Sequence, residues 1–176
     1  MKNFILILTL LVSIVASAQD EPLTYSEVIK VEGKKQAQIF GELREWVAIY
    51  YPNGKAVTQM EDSATGTIIL KDSFPFRKGG IYSSYNGNVD YILKLRAKDG
   101  RYRVEMSQII HSVKNGNYES ELGLITTADD CGCEELEKGA NNKICKEIKE
   151  KASEEFNDLT MMLKCFNRFN AEEDEW

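Results

Sequence analysis

Apolar and polar residues alternate with period two in "YSEVIKVE" (25 to 32), with Tyr25, Glu27, Ile29 and Val31 on one side and Ser26, Val28 and Lys30 on the other. That period predicts a strand. After Gly33 the period changes: in "KKQAQIFGELREWVAIYYP", Ile39, Leu43, Trp46 and Tyr50 fall at i, i+4, i+7 and i+11, with Phe40 and Val47 beside them. This is one apolar helical stripe, ended by Pro52 and Asn53-Gly54. A core position is expected for Trp46. Gly41 inside the helix costs about 1 kcal/mol against Ala, which makes it a candidate for close packing.

Period two returns in four segments, 56 to 62, 66 to 72, 89 to 98 and 101 to 113. Asp99-Gly100 joins the last two, a hairpin signal whose type I′ turn has positive φ at both positions. Alternation places Tyr91, Leu93, Leu95 and Ala97 on the core face opposite Tyr102, Val104, Met106 and Ile110, and turns Lys94, Arg96, Lys98, Arg103 and Glu105 the other way. "SFPFRKGGIYSSYNGN", between Asp72 and Val89, follows neither period and reads as a Gly-rich aromatic loop. From Lys114 to Asp130 the pattern is weak. Helical period then runs for six turns through Ile144, Ile148, Ala152, Phe156, Leu159, Leu163 and Phe166.

The N-terminus is Met1-Lys2-Asn3, an apolar run from Phe4 to Val15 and Ala16-Ser17-Ala18, the three-part form of a secretory signal with cleavage expected after Ala18. The run is shorter than the roughly 20 residues a bilayer needs, and no later stretch reads as a membrane span. The remaining length suits one domain. The expected organisation is a signal at 1–18, a sheet domain at 23–113, a connecting segment with Cys-Gly-Cys at 114–133, a helical segment at 134–170 and an acidic tail at 171–176. Formal net charge is −6, and residues 134 to 176 hold 12 acids against 7 bases. Nucleic acid is therefore a poor candidate partner, since binding it requires clustered Lys and Arg.

The strand, the helix with "REWVAIYYP", the four antiparallel strands and "YILKLRAKDGRYRVEMSQI" together resemble a family of secreted bacterial domains of unknown function described as having a TBP-like fold, over about 23 to 112. Trp46 and Lys98-Asp99-Gly100-Arg101-Tyr102-Arg103 are its most telling residues. The resemblance implies an α+β fold in the order β-α-β-β-β-β-α, a curved antiparallel sheet with helices on one face. It implies no activity, and the fold name does not carry DNA binding with it.

The four cysteines lie outside that resemblance, and secretion places them where disulfides form. Bridging Cys131 to Cys133 across one residue would be strained. On one straight helix Cys145 and Cys165 stand about 30 Å apart, and two bridges from "CGC" reach only about 21 Å. The same distance excludes one zinc on all four sulfurs. Either the helix breaks near Glu155 to Asp158 or one bridge forms within the chain. The stripe crosses that region without Gly or Pro, which favours an unbroken helix, Cys145 bridged to Cys131 or Cys133, and Cys165 buried or facing a second chain. "DDCGC" lacks the C-x-x-C and the nearby cation of a redox centre, so a structural staple is expected.

His111 is the only histidine and is expected as a solvated residue on the polar face of its strand. No G-x-S-x-G, H-E-x-x-H, P-loop or Rossmann fingerprint occurs, and acid pairs such as Glu154-Glu155 read as solvated helix faces. No catalytic residue, metal or cofactor is expected. Two features point to binding: the loop aromatics Phe74, Phe76, Tyr82 and Tyr85, which would stack on a glycan or protein, and the basic row Lys94, Arg96 and Arg103 as a secondary electrostatic element. The functional expectation is a non-enzymatic binding module of the periplasm or cell exterior whose partner is an envelope protein or glycan. An enzyme of unrecognised type and a purely structural envelope component are the alternatives.

Overall fold

A computed structural model describes residues 20–113, 120–131 and 138–173. Strand β1 (Tyr25–Lys30) leads to helix α1 (Gln36–Tyr50) and a single turn α2 (Gly54–Val57). Strands β2 (Thr58–Asp62), β3 (Thr67–Phe76), β4 (Gly87–Lys98) and β5 (Arg101–Val113) follow, then a two-residue strand β6 (Gly123–Leu124) and helix α3 (Lys138–Glu173). The sheet is antiparallel in the order β1-β5-β4-β3-β2, with β6 on the far part of β5. Among the described residues no helix is long and apolar enough to cross a membrane.

Both long helices lie on the same face of the sheet. The stripe of α1 buries Ile39, Leu43, Trp46 and Val47 against Ile68, Leu70, Leu93 and Leu95. Trp46 stacks on Tyr50 at 5.0 Å between ring centroids and meets Tyr51 edge-on at 5.9 Å. The stripe of α3 buries Ile144, Ile148, Ala152, Leu159 and Leu163 completely. Its continuity follows from the absence of any Gly or Pro between Ala140 and Glu173. Tyr25 of β1 stacks on Phe156 at 5.8 Å and donates its hydroxyl to the Lys149 carbonyl at 2.9 Å. Cys131 and Cys145 are bridged, Cα to Cα 5.8 Å, which pins the start of α3 to the segment after β6. Cys165 is free and exposed, and Cys133 lies outside the described residues.

Four local details differ from expectation. Only Gly100 of the hairpin turn has positive φ, 72°. Asp99 instead accepts the Gln36 amide at 2.9 Å, capping the first turn of α1, and Gly100 donates to the Lys34 carbonyl. The turn is thus shaped by α1 and is not type I′. Gly41 is exposed with nothing within 4 Å of where a Cβ would lie, so it marks no close packing. Residues 56 and 57 belong to α2 rather than to β2.

The fourth difference is a bulge. Asp90 faces Ile110 while Ile92 faces Ser107, so Tyr91 alone opposes Gln108 and Ile109, and Gln108 takes φ 50°. One extra residue on β5 reverses the alternation beyond it. Ile109 is fully buried and Ile110 is 39% exposed, the opposite of the strict period. His111 is likewise buried, not solvated.

Candidate functional site

The aromatic stretch is built into the core. β3 runs on to Phe76, in register with β4 through Phe74↔Val89 and Phe76↔Gly87, so Phe74 and Phe76 point inward with Ile68 and Leu70. The first β4 residue must be Gly, since a Cβ on Gly87 would fall 1.7 Å from the Ser112 carbonyl oxygen. Residues Gly80–Tyr85 form a 3-10 turn. Tyr85 is buried and donates to the Asn141 side-chain oxygen at 2.7 Å, and Tyr82 is half-buried under the Lys143 ammonium at 4.6 Å. His111 holds the same region from below: Nε2–H donates to the Tyr85 carbonyl at 2.9 Å, and Nδ1 accepts the Leu122 amide at 3.3 Å. Burial lowers the pKa of this ring. Phe74, Phe76 and Tyr85 are buried in the core and leave little surface for a partner, which corrects the expectation that all four aromatics form a recognition loop.

The basic row lies on the face that no helix covers. Antiparallel register sets Arg96 directly opposite Arg103 and Lys98 opposite Arg101, with Lys94 opposite Glu105. β1 continues these rungs with Val28 beside Arg103 and Lys30 beside Arg101. Among the described residues none of Lys30, Lys94, Arg96, Lys98, Arg101 and Arg103 makes an ion pair within 4 Å. Like charges directly opposite on adjacent strands are destabilising. A shallow groove of about 210 Å³ runs over Val28, Arg96, Lys98, Arg101, Tyr102 and Arg103. A smaller depression of about 30 Å³ adjoins it at Lys94 and Glu105. Lys94, Arg96 and Arg103 are thus brought together as expected. Lys98, Arg101 and Lys30 join them; the hairpin symmetry about Asp99-Gly100 is the signal that pairs 98 with 101.

A second polar cluster was not anticipated. Tyr91 donates to Asp72 at 2.9 Å and also lies 3.4 Å from a Glu155 oxygen. Burial and then the neighbouring Asp72 carboxylate push the Glu155 pKa up. Burial, reinforced by the same acids, pushes the Tyr91 hydroxyl far above the phenol range. Its residues come from β3, β4 and α3, and nothing in the chain order announces their meeting. Chemically it offers a carboxyl held toward its protonated form, hydrogen-bonded to a phenol that burial and the neighbouring acids keep protonated. Among the described residues no group of three or more His, Cys, Asp or Glu is placed to hold a metal ion.

A family model described as a domain of unknown function (DUF4468) with TBP-like fold matches residues 25–112. Among solved structures the chain is similar to a TBP-like protein from Parabacteroides distasonis ATCC 8503, with a TM-score of 0.58 and 17% identity over 81% of this chain and 93% of that one. It is similar also to a DUF4468 family protein from Bacteroides ovatus ATCC 8483, with a TM-score of 0.55 and 17% identity over 83% of this chain and 86% of that one. Likeness at this identity shows the fold: α+β, an open antiparallel sheet with helices. No curated protein matches the chain.

Proposed function

The chain belongs to the DUF4468 family of domains of unknown function with a TBP-like fold, and from that premise we propose that its uncovered sheet face binds an anionic partner without catalysing a reaction. One observation carries this reading: Arg96 faces Arg103 and Lys98 faces Arg101 on successive rungs of the open face, with no ion pair among the described residues, in a chain of net charge −6. Stability alone disfavours that arrangement, whereas an anion set between the rungs would receive charge-assisted hydrogen bonds from two planar guanidinium groups. The half-buried Tyr82 stays outside the proposed site, because Lys143 already covers its ring.

The place of action we propose is the periplasm or the cell exterior. The signal-like segment before Gln19 supports it, as does the Cys131–Cys145 bridge, a bond that persists in oxidising compartments. The test uses dextran sulfate, a polyanion with no peptide backbone, in a fluorescence anisotropy titration of the purified protein. Binding that weakens steeply with added salt and is lost in Arg96→Glu/Arg103→Glu, with melting close to the wild type because the variant keeps a like-charged pair on that rung, is the expected result. Equal binding by that variant would end the reading.

A further inference from the structure

The two edges of the sheet are finished differently. β2 is short and irregular between Thr58 and Met60, and its Glu61 is held by Arg44 of α1 at 2.9 Å. β1 keeps unbroken register with β5 from Tyr25↔Met106 to Lys30↔Arg101. Peptide groups alternate direction along a strand, and the Val31 amide donates to the Gly100 carbonyl, so Val31, Ile29, Glu27 and Tyr25 turn theirs toward β5. Ser26, Val28 and Lys30 therefore turn both N–H and C=O outward. Among the described residues no hydrogen bond uses those groups. Regular edges left open in this way are usually blunted by charge, bulge or cover, yet Val28 in the middle of β1 is 47% exposed.

Along this edge lies a groove of about 410 Å³, walled on one side by residues 27 to 31 and on the other by Lys164, Asn167 and Arg168 of α3. Glu27 is neutralised by Lys164 at 2.6 Å, which leaves Lys30 and Arg168 as the charges of this groove without an ion pair among the described residues. Val28 lines this groove and also the basic groove over Arg101 and Arg103, so the two meet at this residue. An open strand edge beside a helix is the geometry in which an extended peptide adds to a sheet, main chain giving affinity and alternate side chains specificity.

We infer that β1 receives an extended acidic segment of a partner protein as an added strand. This rests on the reading that the uncovered face binds anions, and it names the partner class. Hydrogen bonds run to Ser26, Val28 and Lys30. Every second side chain of the segment falls on the open face beside Lys30, Arg101 and Arg103, where a carboxylate is favoured, and the intervening ones fall toward Arg168. A second copy of this chain is the poorer occupant. Pairing β1 with β1 about a two-fold axis would continue the open face into its own duplicate and join two basic faces side by side in one sheet.

The probe is a labelled peptide of about eight residues alternating Glu and Val, titrated against the full chain by anisotropy. Two N-methylated versions keep its charge: one carries methyls on the amides that face β1, the other on the opposite edge. Val28→Pro removes one outward N–H from the receptor without touching the β5 ladder, because edge strands accept Pro on their solvent side. We expect affinity to fall about tenfold or more with the inward methyls and with Val28→Pro, to hold with the outward methyls, and to vanish in Arg101→Glu/Arg103→Glu. Should Val28→Pro fail to fold, the two methylated peptides decide alone. Equal affinity for all three peptides, with loss only on charge reversal, overturns strand addition and leaves the anion-binding face standing. Binding indifferent to charge reversal, or no binding of the peptide, overturns the inference, and dextran sulfate then reports separately on the face. A peptide-free dimer abolished by Val28→Pro would assign the edge to a second copy and likewise overturn it.

Discussion

The two faces of the sheet share the same strands and obey opposite rules. On the helix side, Tyr91, Leu93, Leu95 and Ala97 of β4 and Tyr102, Val104 and Met106 of β5 are all buried, and the Tyr91 and Tyr102 hydroxyls have partners in Asp72 and Asn167. Each residue there is explained by burial or by a hydrogen bond. On the open side, the same strands display Arg96, Lys98, Arg101 and Arg103 as opposed cations with no ion pair among the described residues. Folding alone accounts for the first face and leaves the second unexplained. Substitutions should therefore destabilise the protein on the covered side, and on the open side spare its stability while altering what it binds.

The largest effect should come from the covered side. Trp46 is 3% exposed between α1 and the sheet, and truncating a buried aromatic costs about 3 to 5 kcal/mol. Trp46→Ala should unfold at much lower denaturant than the wild type, or not fold at all. A variant melting near the wild-type temperature would show that the covered face is less committed to packing than its burial indicates. Next in size is the bridge. Cys131 and Cys145 close a loop of 14 residues, and removing such a crosslink costs about 3 kcal/mol in the chain-entropy account. Cys131→Ser/Cys145→Ser, followed by calorimetry, should lower Tm while anion binding persists, because the bridge lies on the helix side.

How much of this contrast the chain displays in advance depends on register. Alternation assigns both faces correctly from Tyr91 to Ala97 and from Tyr102 to Met106, and β4 and β5 pair without interruption from Ile92↔Ser107 to Lys98↔Arg101. It fails beyond Ser107, because the bulge at Gln108 needs a positive φ that "MSQIIHSV" does not advertise; Gly or Asn would have. The aromatic stretch hides its strand for a related reason. Pro75 in "FPF" resembles a strand breaker, but β2 pairs only with Thr67 to Leu70 of β3, so at Pro75 the strand is locally an edge and no ladder bond is lost. The basic row was legible from alternation, its opposed pairing from hairpin symmetry. The groove between β1 and α3 was not, since nothing in the order of elements says which strand ends at the sheet's edge beside the last helix.

A smaller, pH-dependent effect follows from the bulge. His111 was drawn to the covered side, and burial holds its folded pKa below the ordinary 6.5. Above that value the ring is neutral folded and unfolded, and contributes no pH dependence. As pH falls through 6.5 the unfolded chain takes up a proton that the buried ring refuses, so stability declines until the ring's own lowered pKa is reached. Melting followed from pH 7 to about 5, above the carboxylate range, should fall in the wild type and stay flatter in His111→Gln. Parallel profiles would mean that the ring titrates normally and that its two hydrogen bonds do not enforce neutrality.

The smallest expected change in stability is the most informative about the open face. Arg96 stands across from Arg103 and next to Thr67, with no acid on its rung before Asp62 of β2. If the pair is simply repulsive, Arg96→Gln relieves it, and cross-strand charge pairs are worth about 0.2 to 1 kcal/mol. Tm should rise slightly, and the difference from the wild type should shrink as salt screens the pair. Dextran sulfate binding should fall in the same variant. The combination matters: a substitution that stabilises the fold and weakens the interaction is what a residue kept for binding predicts, and no purely structural role produces it. Arginines stacked favourably on each other would give the opposite sign, a lower Tm with no gain from relieved repulsion, and the open face would then differ from the covered one in polarity alone.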